Sequence, residues 1–172
     1  MLKQIKSRLS DMNTIKKLCL GAEKHALADQ QKAPAAEHFL LAALDLPDDT
    51  AQKCFERFGA DSATLRLAIA RQYDDALSSI GLERRTAEPG KDEPLAGEPG
   101  LYNAAPSGQE VMQTLAANRH EHGPLLGAHV VAVAANMQHG VVARALRVMG
   151  IDAKALRAYA IEISNSVIDR HQ

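Results

Sequence analysis

The residues best suited to chemistry in this sequence are histidines, beginning with the adjacent pair Glu37–His38. A carboxylate beside an imidazole is a candidate for holding a cation or a guanidinium through charge-assisted hydrogen bonds. A glutamate in the first turn of a helix also stabilises the helix dipole with no function attached. His38 has a counterpart in His129, and both are candidates for a ligand or general base. A histidine repeated at helix starts is expected instead to cap or bridge backbone groups, and that structural role is the one we assign to His38. His120, Glu121, His122 and His129 form a second cluster. Their spacing is neither HExxH nor that of a zinc finger, and His120 and His122 do not share a helical face, so no metal site is expected. Ser107, Cys19 and Cys54 are candidate nucleophiles, but the sequence pairs none of them with a base. Both cysteines occupy apolar positions and read as core.

The elements that must position these residues are helices. The 172 residues suffice for one domain with a core. A chain that is 46% hydrophobic but only 3% aromatic, with no Trp, must pack through Ala, Leu, Val and Ile, which favours close helix contacts and an all-α fold. Ile15, Leu18, Cys19, Ala22 and Ala26 recur at helical spacing and predict a helix from about Thr14 to Asp29. Pro34 suits the entry to a second, with Phe39, Leu40, Ala43 and Leu44 inward. Asp48 to Thr50 caps a third that ends at Gly59, and Asp61 or Ser62 a fourth carrying Leu65, Ala68 and Ile69.

The plan recurs after an offset of 91 residues. His38 falls on His129, Gly59 on Gly150, Asp61 on Asp152, Leu65 on Leu156 and Arg66 on Arg157. The sequence therefore predicts two pseudo-repeats of four helices, eight in all, with repeat one over about residues 12–75 and repeat two over about 105–167. Between them, residues 79–104 are rich in Pro and Gly and read as a flexible linker within a single domain spanning 1–172.

Composition excludes several function classes. A formal net charge of -1 provides no field for nucleic acid. Arg84, Arg85 and Arg119 are interspersed with acidic residues and read as solvated surface. No stretch approaches the roughly 18 apolar residues that span a bilayer, so no membrane partner is expected. The basic start MLKQIKSRLSDMN lacks the apolar core of a signal peptide, and two cysteines without a CxxC fit a reducing, cytoplasmic setting. No GxxxxGK(S/T) occurs, and Gly90-Lys91 lacks the upstream glycine, so ATP hydrolysis and a nucleotide cofactor are not expected.

The segment AAEHFLLAAL, residues 35–44, resembles the Gly-Thr-Glu-His-(apolar)-Leu-Leu-x-x-Leu motif of the N-terminal domain of Clp-type AAA+ unfoldases. The surrounding spacing agrees: Ala26 precedes His38 by twelve positions as Ala117 precedes His129, and FERFGAD and LRVMGID match the family's helix ending in Leu-Gly. Pro106, the segment HGVVARAL at 139–146 and His122 fit the second repeat. The resemblance spans roughly Met12 to Val167 and implies a non-catalytic module that binds proteins or peptides, serving Clp proteolysis as adaptor, decoy or regulator, with no cofactor. It implies a binding groove between the repeats, with Glu37 as a contact. Some family members bind phosphoarginine through the motif Glu of each repeat. Here Ala36 replaces the first Thr, and Gly127 and Ala128 replace the second Thr and Glu. The alternatives from other classes are a small helical hydrolase using these His and Ser residues, and a structural, self-associating helical protein.

Overall fold

The computed structural model describes residues 2–82, 103–121 and 124–169. These residues are all-helical, with no strand among them: α1 (Leu2–Ala28), α2 (Ala36–Leu44), α3 (Thr50–Glu56), α4 (Ser62–Ser79), α5 (Pro106–Ala117), α6 (Gly127–Ala135), α7 (Val141–Val148) and α8 (Ala153–Asp169). A short 3-10 helix, Asn118–Glu121, follows α5 and was not expected from the sequence. Most of the linker predicted over 79–104 lies outside the described residues.

Two short helices occupy the centre. Every residue of α2 is buried, and α6 buries seven of its nine. They pack on each other, with α1 and α5 also against α2 and with α8 and α3 against α6, while α4 packs on α7. The centre is apolar because Phe39, Leu40, Leu41, Val130 and Val131 lie there with Leu18, Phe55, Leu65, Leu146 and Leu156 around them. Small residues set the spacing. A Cβ on Gly21 of α1 would lie 2.9 Å from the Ala42 methyl, and one on Gly127 would meet the Ala43 carbonyl and the Ala51 methyl, both at 3.0 Å.

Helix ends follow local chemistry. The Asp61 carboxylate accepts the Thr64 backbone N–H at 2.8 Å, while the Thr64 hydroxyl accepts the Asp61 N–H at 2.9 Å, closing a reciprocal cap on α4. Those bonds hold the Asp61 carboxyl below the usual carboxylate range. Gly59 and Gly150 adopt φ of 68° and 70°, the left-handed conformation that stops α3 and α7.

The sequence-based bounds hold for most elements, with one clear exception. Helix α1 begins at Leu2 rather than near Thr14. Within this added stretch Leu9 and Met12 face solvent at 56% and 63% exposure, off the face that buries Leu18 and Ala22. Lys, Arg, Gln, Leu and Met there are strong helix formers, and propensity extends the helix beyond its buried face.

Gly108 on α5 offers the sharpest packing test. An added Cβ would sit 2.5 Å from the Pro34 carbonyl oxygen and 3.0 Å from the Phe39 ring. Gly108→Ala should therefore destabilise by about 1–3 kcal/mol, a drop in Tm of about 3–10 °C by circular dichroism. An unchanged Tm would contradict this close approach of α5 to the start of α2.

Candidate functional site

Both motif histidines are built into helix starts. His38 is fully buried. Its Nδ1 accepts the Ala35 backbone N–H at 2.9 Å, leaving the ring proton on Nε2, which stands 3.3 Å from the Asp29 carboxylate. His129 repeats the first contact, its Nδ1 accepting the Leu126 N–H at 3.0 Å, and it is 4% exposed. Each ring thus reaches back from the third helical position to the residue before the helix, the place a capping-box glutamate takes elsewhere. With Nδ1 committed to the backbone and the ring out of solvent, His38 is positioned as a cap of α2.

Glu37, the contact that the resemblance implies, lies against α4. Its carboxylate is 3% exposed and accepts a hydrogen bond from the Tyr73 hydroxyl of α4. The first-turn position of Glu37 on a wholly buried helix turns it toward α4, so a partner would have to displace Tyr73 to reach it. Ala128, at the second motif position, is fully buried and carries no carboxylate.

The candidate nucleophiles are also occupied structurally. The Ser107 hydroxyl accepts the Ala36 N–H at 3.2 Å and so caps α2 from the start of α5. Among the described residues no histidine is paired with it. Cys54 is fully buried, and desolvation, helped by the Asp48 charge, pushes its thiol up to about 12. Cys19 is half-buried on α1. His122 lies outside the described residues, as do Arg84, Arg85, Gly90 and Lys91, and of His120 and Glu121 only the backbone is described. Among the described residues no group of three or more His, Cys, Asp or Glu could hold a metal ion. Arg119 lies 3.9 Å from Asp11, an ion pair at the end of α5.

Three features escaped the sequence. Asp48 was expected only to cap α3, but its carboxylate accepts the Thr50 N–H at 2.9 Å and also the Gly127 N–H at 3.1 Å. The Thr50 hydroxyl accepts the Ala128 N–H at 2.8 Å. Two open amides at the start of α6 are thereby satisfied from the α2–α3 turn, and no local spacing announces a contact across 79 residues. The second feature is a chain on the first half: Arg66 Nη2 donates to His25 Nδ1 at 3.0 Å, and His25 Nε2 lies 2.7 Å from Asp45. The third is an open groove of about 380 Å³ walled by α5 and α8 and floored by α6, with Glu110 and Thr114 on one wall and Arg157 and Asn165 on the other. The seam between α3 and α8 is partly closed by Tyr159, whose ring lies 5.9 Å from the Arg57 guanidinium and 6.5 Å, edge-on, from Phe58. No helix among the described residues is long and apolar enough to cross a membrane.

No protein-family model matches the chain, and no curated protein matches its sequence.

Two experiments test this geometry. Asp48→Ala should lower stability by about 2 kcal/mol in urea unfolding, because it strips a cap and leaves buried amides unmet; Asp48→Asn, which keeps an acceptor, should cost less. Equal losses would remove the cap from the explanation. For Cys54 the folded thiol titrates above the free value, so the folded state keeps its proton longer than the unfolded state. Its contribution is complete below pH 9 and falls away as pH rises toward about 12. The urea midpoint of the native sequence should therefore decline more steeply over that window than that of Cys54→Ala.

Proposed function

We propose that this chain is a non-catalytic recognition module of the Clp N-terminal type, made of two pseudo-repeats of four helices, α1–α4 and α5–α8, that binds protein or peptide partners of Clp proteolysis. The observation that carries this reading is local geometry shared at the 91-residue offset. His38 and His129 cap α2 and α6 through the same atom. The Ala60 N–H donates to the Phe55 carbonyl at 3.1 Å and the Ile151 N–H to the Leu146 carbonyl at 2.9 Å, each across a left-handed glycine. Asp61 and Asp152 then cap α4 and α8 with their carboxylates. A duplicated sequence pattern can arise by chance, but caps, stops and starts that agree in order support descent of both halves from one unit.

The absence of an activated nucleophile among the described residues, with Cys54 held protonated and Ser107 spent on a helix cap, disfavours the hydrolase alternative. Phosphoarginine fits poorly as a ligand. Glu37 is covered by Tyr73 and Ala128 has no charge to offer a guanidinium.

Immobilised chain incubated with native lysate should retain Clp-type unfoldase subunits or their substrates, identified by mass spectrometry, and a phosphoarginine wash should not release them. Recovery equal to a blank column would sink the recognition reading.

One observation favours the structural alternative. Leu9, Met12, Leu20 and Leu27 lie on a single outer face of α1, each between 55% and 63% exposed, opposite the buried Leu18 and Ala22. If that stripe joins copies of the chain, light scattering should give a dimer mass that Leu20→Glu returns to monomer. A monomer mass for the native sequence at high micromolar concentration would dismiss it.

A further inference from the structure

Arg66 and Arg157 occupy equivalent places under the pseudo-repeat reading, yet only the first has work inside the fold. Arg66 is tied to His25, which is tied to Asp45. At the positions 91 residues on, Ala116 replaces His25 and Asn136 replaces Asp45. A methyl group cannot bridge, and an amide carries no charge to complete the chain. Arg157 makes no hydrogen bond or ion pair with any described residue. Instead it lines the groove between α5 and α8.

The volume of that groove, about 380 Å³, falls in the range of ligand sites, about 300–1,000 Å³. Its floor on α6 exposes Ala132 and Val133 beside His129, Ile161 of α8 adds apolar surface to one wall, and three side-chain amides, Asn118, Asn136 and Asn165, also line it. Each amide offers both donors and an acceptor. An extended peptide presents unpaired N–H and C=O groups that such amides can meet, whereas a docked helix has already satisfied its own and would leave them idle. The free guanidinium selects a planar carboxylate. Glu110 on the opposite wall disfavours a polyanion.

We propose that the groove between α5 and α8, floored by α6, binds a short extended peptide segment bearing a carboxylate, with Arg157 as the anchor of that carboxylate and the three asparagines as partners of the peptide main chain. This names a ligand class for the recognition reading; the comparison of Arg66 with Arg157 rests on the pseudo-repeats, whereas the groove and its lining do not. The carboxylate can come from a chain terminus or from an acidic side chain.

The test is fluorescence anisotropy of the full chain with three fluorescein-labelled pentapeptides. The first is three alanines followed by two leucines with a free C-terminus, the second its C-terminal amide, and the third the amide with an aspartate at the centre. Binding of the first but not the second assigns the terminus, and binding of the third assigns the side chain. In either case Arg157→Gln should weaken binding by about tenfold or more, and Ala132→Phe, which fills the floor, should abolish it, while Arg71→Gln, on the exposed face of α4, should leave it unchanged. Binding of the second peptide as tight as that of the first or third, or affinity indifferent to Arg157→Gln, overturns the proposal while leaving peptide recognition at another surface intact. If none of the three binds, the groove proposal fails, and retention of partners from lysate still judges the broader reading separately.

Discussion

The start of helix α6 is where the later part of the chain is tied to the turn after α2. Any helix opens with amides that have no partner of their own, and on α6 this opening is buried, so water cannot supply the acceptors. Asp48 and Thr50 supply them from the turn after α2. That contact needs the α6 backbone to come close to α3, and close approach in turn requires Gly127, where a side chain would press on Ala43 and Ala51. The absence of a side chain and the presence of a carboxylate are therefore two halves of one arrangement. The neighbouring Cys54 feels it as well, since the same Asp48 charge opposes formation of a thiolate.

A similar economy governs the start of α2, whose amides are met by His38 through Ala35 and by Ser107 through Ala36. His38, His129 and Ser107 thus close the starts of two short, largely buried helices. A helix of nine residues has few internal bonds and little stability alone; both central helices are of that length. They persist because their ends are closed by histidine and by groups from the opposite part of the chain, and because their sides are covered.

The sequence was most legible where a residue acts on its near neighbours. Gly59 and Gly150 marked helix ends because only a residue without Cβ adopts their conformation comfortably, and Asp61 marked a start because its acceptor is three residues from its donor. The inward face of α4 could be read from apolar spacing alone, whereas α2 has no outward face, all nine of its residues being buried. What stayed hidden depended on distance along the chain: Asp48 against Gly127, Tyr73 over Glu37, Arg66 on His25. Nothing in the spacing around Glu37 tells whether its carboxylate meets solvent or a tyrosine hydroxyl. The groove was equally silent, since its lining comes from α5, α6 and α8, which no local spacing brings together.

The dependence of α2 on later segments has a consequence for synthesis. As the chain leaves the ribosome, α1 to α4 are complete long before α5 and α6 exist, and until then α2 has one flank in water, with the Asp48 carboxylate capping α3 alone. A hydrophobic surface of that kind is what holdase chaperones retain and what neighbouring nascent chains stick to. Productive collapse must wait for the arrival of Gly127, so slowing translation between the two parts would prolong the vulnerable interval rather than help the first part mature.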